Sequence, residues 1–225
     1  MDVGARALGD HASACGVEAI ERIMAAAEAV GGMRVLHVSV ADGGGRVPEL
    51  LGALLPLAAD VGLRIDWRVL FGDPDLQQVG AGLREGLQGA ESVIADGAWR
   101  EYLDACHGAA GELGGAGSYD AVVLHDPPAL GLAEALATQP VVWRCHVDAS
   151  QPDGPAWDRA APLVESCATA VFPDHSFAPA GIDAAVLRAV APGIDPLGPR
   201  NLELSPLLAG RALRQLGLDL DRPLC

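Results

Sequence analysis

Aromatic residues are scarce in this chain: Phe, Trp and Tyr make up 4% of it, although half of its residues are hydrophobic. Ala, Leu and Val must fill the core, and with 28 glycines that profile suits close helix–sheet packing better than a β-sandwich. Positive charge is scarce too. The 15 Lys and Arg residues stand against 30 Asp and Glu, a formal charge of −15. Such a surface repels phosphate backbones and anionic lipid, so no nucleic acid and no membrane surface is expected as a partner. No apolar run approaches the roughly 20 residues needed to cross a bilayer. Residues 1–14 lack the basic cluster and apolar stretch of a secretory signal. Cys15, Cys106, Cys145, Cys167 and Cys225 are odd in number and scattered, a pattern of reduced thiols and not of a disulfide framework or zinc site. The expected compartment is the cytoplasm.

Nucleotide-loop signatures are also missing. Gly43, Gly44 and Gly45 follow the first strand, but Arg46, Val47 and Pro48 come next, so the dinucleotide spacing Gly-x-Gly-x-x-Gly is absent. No Lys-Ser/Thr pair makes a triphosphate loop, which disfavours an unrelated nucleotide-dependent enzyme. The triple glycine reads either as a tight turn or as a loop whose N–H groups approach an anion or a sugar. No metal-ligand cluster and no Ser/His/Asp set stands out.

What is present is alternation. Residues 1–15 show no clear periodicity and read as a loose N-terminal arm. Val17, Ile20, Ile23 and Met24 recur at helical spacing, and the helix should end at Gly31-Gly32. Strands are expected at 34–39, 63–70, 121–124, 141–145, 169–172 and 184–190. Helices are expected at 49–61, 75–87, 98–110, after Pro128 through Ala137, at 156–167 and at 201–216. Asp73-Pro74-Asp75 reads as a turn and helix cap. This order predicts an α/β fold, a Rossmann-like, doubly wound and mostly parallel sheet, in one domain over 16–220. Asp221 to Cys225 reads as a turn into a further strand, the expectation for a truncated chain.

The polar candidates sit where apolar strands stop. Val141-Val142-Trp143 suits a buried strand, and Arg144, His146 and Asp148 then alternate; a strand continuing through them would point all three to one side. In an open parallel sheet the ligand crevice lies outside the carboxyl ends of the strands. His125-Asp126 ends another strand at the same edge. Two readings stay open for each cluster: substrate contact, or a buried Arg–Asp pair with a satisfied histidine, and Asp126 as a helix cap. His37, inside the first strand, reads as a core histidine, and Cys145 as a buried strand cysteine.

Several segments together resemble the trehalose synthases among the retaining glycosyltransferases of GT-B fold. They are Arg34-Val-Leu-His-Val-Ser39, Gly43 to Gly45, Asp60-Val-Gly-Leu63, Asp66-Trp67, His125-Asp126-Pro127, Val142 to Asp148, Trp157, Pro192 to Leu197, and Pro199-Arg-Asn201. The likeness runs from about Gly16 to the C-terminus. It implies the N-terminal, acceptor-side domain of two, with 221–225 beginning a C-terminal donor-binding domain. It further implies transfer of glucose from a nucleoside-diphosphate glucose (UDP-, ADP- or GDP-glucose) to glucose, with no separate cofactor and no metal. By the same likeness His146 is the catalytic cleft histidine. Arg144, Asp148, His125 and Asp126 line the acceptor pocket, and Gly43, Gly44 and Gly45 form the donor phosphate and sugar loop. Small sugars are the expected partners, and a homodimer is compatible with the likeness. The alternative is a non-catalytic sugar-binding or dimerising remnant. Arg46-Val47-Pro48 departs from the Val-Ala-Glu that usually continues the family's glycine run.

Overall fold

The computed structural model describes residues 4–40, 46–70, 73–113, 119–198, 201 and 203–217. The glycine run 43–45, Pro199-Arg200 and the segment 221–225 lie outside them. The chain divides into two compact units, Met1–Ile194 and Asp195–Cys225.

The first unit carries a six-stranded, all-parallel sheet in the order β2-β1-β3-β4-β5-β6. The strands are β1 (Arg34–Val40), β2 (Arg64–Leu70), β3 (Ala121–His125), β4 (Val141–Arg144), β5 (Thr169–Phe172) and β6 (Leu187–Ala189). Its helices are α1 (Ala12–Cys15), α2 (Val17–Glu28), α3 (Arg46–Asp60), α4 (Pro74–Leu87), α5 (Asp96–Glu112) and α6 (Gly154–Glu165). The expected α/β, doubly wound sheet is therefore present. Asp73 caps α4 as expected, its side chain accepting from the Asp75 N–H at 2.9 Å.

Strand parity sorts the side chains onto two faces. One face presents Leu36 and Val38, Val122 and Leu124, Val141, Trp143 and Cys145, then Ala170 and Phe172. These join Val79, Leu83 and Leu87 of α4, Tyr102 and Cys106 of α5, and Leu163 and Val164 of α6 in the main core. Trp143 is fully buried and meets Phe172 edge to face at 5.5 Å. On the opposite face Val47, Leu51 and Leu55 of α3 pack with Ile65, Trp67 and Val69 of β2. Ala121, Val123, Val142 and Thr169 there stay half-buried.

Two of the expected segments in this unit differ in kind. The stretch read as a loose arm holds a 3-10 turn, Leu8–His11, and then α1; Leu8 and His11 are buried, and the Leu8 N–H donates to Asp60 at 2.8 Å. The helix expected from Pro128 through Ala137 is a 3-10 segment, Pro127–Leu132, followed by turns. Two prolines without N–H groups open it, and the Tyr102 hydroxyl donates to Pro128 O at 2.8 Å and accepts from Gly131 N at 3.1 Å. A Cβ on Gly131 would stand 2.6 Å from the Tyr102 ring, so only glycine permits the approach.

In the second unit α7 (Pro206–Gln215) is capped by Ser205, which accepts from Leu208 N, so it starts later than the helix expected from residue 201. A turn is closed by Asn201, which donates to Asp195 O at 2.7 Å.

Candidate functional site at the carboxyl edge of the sheet

The strand order changes direction between β1 and β3, and parallel sheets open a crevice at such a switch point. A shallow recess lies there, lined by Ser39, Val40, Val47, Arg84, His125, Asp126 and Pro128. Ser39 accepts from the Trp67 indole at 3.0 Å, which leaves its own O–H as a donor.

Asp126 organises this edge. It takes φ +66° and ψ 167°, and among the described residues it is the one non-glycine at positive φ. That conformation costs roughly 1–3 kcal/mol and persists only where surroundings over-determine it. Here they do. Its N–H donates to Arg144 O at 2.9 Å, and its carbonyl accepts from the Trp143 indole at 3.2 Å. One carboxylate oxygen accepts from the His146 N–H at 2.9 Å, the other from Arg84 at 3.1 Å. Asp126 occupies the cap position of the 3-10 segment, but its side chain makes no cap bond. Its carboxylate holds the rim together.

Three histidines share the half-covered face. His37 pairs with Val123 and His125 with Arg144, so each histidine stands two residues further along than its predecessor's partner. The row climbs diagonally from mid-β1 to just beyond β4. His37 Nδ1 lies 3.0 Å from His125 Nε2, and His125 Nδ1 lies 3.1 Å from His146 Nε2. His125 is buried, whereas His37 and His146 are half-buried. Desolvation lowers the pKa of all three: His37 and His146 to about 4, and His125 well below the usual imidazole value. The Arg144 and Arg84 cations add to the effect at His146, and His37, His146 and Arg144 add to it at His125. All three rings are neutral at neutral pH. His37, read from sequence as a core residue, is thus one end of this row.

Arg144 and Asp148 diverge from His146. The β4 strand ends at Arg144, although Cys145 N still donates to Val171 O. The Arg144 guanidinium spans β5 to donate to Val190 O at 2.8 Å. Asp148 is exposed and accepts from Ser150 N at 2.9 Å within its own loop. A continuous strand would have aligned all three side chains; the chain leaves the ladder to bring the His146 N–H onto Asp126. Cys145 is buried, and desolvation raises its thiol pKa, which suits packing and not reactivity.

Arg84 escapes a reading by motif. The buried stripe of α4 runs through Val79, Gly80, Leu83 and Leu87, and Arg84 falls on the same stripe one turn after Gly80. A lone cation on an apolar helix face is the signal that could have found it.

Residues 37–179 match the family model described as trehalose synthase, N-terminal domain. The chain belongs to this family. It is 35% identical to a trehalose synthase of Rubrobacter xylanophilus, over 99% of this chain and 55% of that protein. Trehalose synthases of Pyrococcus horikoshii (29% identical, 98% of this chain and 54% of that protein) and Thermococcus litoralis (30%, 96% and 53%) are similar as well. The chain spans about half the length of the curated relatives it matches. The matched residues open at His37 and include His125, Asp126, Arg144 and His146, so the histidine row lies wholly within the trehalose synthase N-terminal domain.

Proposed function

We propose that this chain forms the acceptor side of a glycosyltransferase that moves glucose from a nucleoside-diphosphate glucose to free glucose, giving trehalose. The observation that carries the reading is the convergence of His125, Asp126, His146 and the Arg84 cation at one sheet edge. Sugar hydroxyls need oriented donors and acceptors, and a neutral imidazole supplies one of each without a net charge. Among the described residues, Nδ1 of His146 has no protein partner beside it and is the group we assign to a hydroxyl of the transferred or accepting sugar. Arg84 and Arg144, whose cations both act on the His146 ring, supply positive potential for a departing diphosphate. Asp126 is assigned to holding His146 and Arg84 in place, one carboxylate oxygen on each, with its remaining lone pairs turned to the acceptor pocket. Asp148 is kept as an outer acceptor-side residue. The glycine run 43–45 is assigned to the donor phosphates, with no separate cofactor, and a homodimer remains compatible with this arrangement.

Backbone NMR of the chain, titrated with glucose and separately with UDP-, ADP- and GDP-glucose, tests the reading. Glucose should shift resonances around 125–126, 144–148 and Arg84. No response at saturating glucose would overturn it. Transfer from labelled nucleotide-glucose should be negligible with the chain alone and should appear when the C-terminal half of a relative is added. Glucose binding with no gain on that addition would favour the sugar-binding remnant instead.

A further inference from the structure

The histidine row has a property that no single member has. Its rings lie edge to edge and not face to face. The centroids are 5.3 and 5.5 Å apart and the planes are inclined by 20° and 19°. Those separations are what the two N···N contacts and the ring radii add up to when laid end to end. Each contact is therefore an in-plane hydrogen bond between nitrogens, in which one nitrogen must carry the proton and the other a lone pair.

A neutral imidazole carries one N–H, so the choice at one contact dictates the choice at the next. If His37 donates from Nδ1, His125 Nε2 accepts, its Nδ1 donates, His146 Nε2 accepts, and His146 Nδ1 carries a proton outward. If His146 donates from Nε2, every proton sits on Nε2 and His146 Nδ1 offers a lone pair. Any mixed arrangement sets two N–H groups or two lone pairs against each other in a buried site and leaves both unsatisfied. Burial keeps the row neutral, because an imidazolium with two N–H groups would break the alternation.

We propose that His37, His125 and His146 form one tautomeric unit, in which His37 is a positioning residue that sets whether Nδ1 of His146 donates or accepts a hydrogen bond at the rim. The proposal deepens the reading of His146 as the sugar-facing group, but the tautomers themselves can be read without any sugar. The His146 N–H held by Asp126 and the strand pairing of β1, β3 and β4 fix the spacing of the row.

The test is the long-range 15N–1H spectrum of the histidine rings in the 15N-labelled chain, which distinguishes Nδ1–H from Nε2–H at each residue. The expected result is the same tautomer at all three positions at neutral pH. In His37→Phe, His125 Nε2 loses its partner and the His146 ring spectrum should change, whereas His37→Asn, whose amide stands near the former Nδ1 and meets His125 Nε2 in either protonation, should leave His125 and His146 in one shared tautomer. Opposite tautomers at His125 and His146 in the unaltered chain would overturn the proposal, with no variant needed. So would an unchanged His146 spectrum in a folded His37→Phe chain. A uniform row in a chain that ignores glucose would count against the transfer reading alone.

Discussion

The two faces of the sheet answer to different demands. One buries Leu36, Val38, Leu124, Trp143 and Phe172 beneath α4, α5 and α6, with scarcely a polar atom among them. The other begins under α3 and, from β1 to β4, carries the half-buried His37, Arg144 and His146 around a buried His125. Only two residues separate Trp143 from His146, yet one fills space and the other offers hydrogen bonds. Stability resides on the packed face, and the sugar contacts we propose lie on the half-covered one. Asp126 ties them together, accepting from the Trp143 indole on one side and from the His146 N–H on the other.

Trp143→Ala should break the packed face most severely. A large aromatic removed from a core costs about 3–5 kcal/mol, and here the strained Asp126 also loses a donor to its carbonyl. Thermal and urea unfolding would measure it; a loss under about 1 kcal/mol would mean the core has collapsed around the gap. Asp126→Ala should follow at about 3 kcal/mol, the low end for breaking a buried ion pair, since Arg84 keeps 27% of its side-chain exposure. It should also release the His146 backbone, so glucose-induced shifts at 144–148 should vanish with it.

Acid should act on the half-covered face. His37 and His146 are held neutral in the fold with pKa about 4, against 6.5 when unfolded. Between those values the unfolded chain binds protons that the folded one refuses. Their contribution is fully present above about 6.5 and is lost as pH falls through about 4. The slope of melting temperature against pH in that window should be shallower in His37→Phe, and an unchanged slope would contradict the assignment.

His146→Ala sharpens the contrast further. Its stability cost should be about 1–3 kcal/mol, because the buried His125 Nδ1 loses its partner, while glucose binding by titration calorimetry should be lost. Arg22→Ala lies off both faces and sets the baseline. Its pair with Glu18 is exposed on both sides, and the melting temperature should not move measurably.

Much of this arrangement is legible in the chain. Apolar strands of four to seven residues ending in His-Asp and in Arg-Cys-His announce a parallel sheet with a polar rim, and Asp73 announces the start of α4. Other features leave no local trace. His37 looks like any residue within a strand until the register offsets it by two from His125. The 3-10 segment after Pro127 follows from the close seat of Gly131 against Tyr102, a contact between residues 29 apart in sequence.

Composition, strand parity and cap residues determined the fold class and the end of the sheet at which polar groups gather, because those depend on spacing along the chain. Strand register, the positive φ of Asp126 and the approach of Arg84 decided which groups touch. Each of these depends on distances between segments far apart in sequence, and only packing sets such distances.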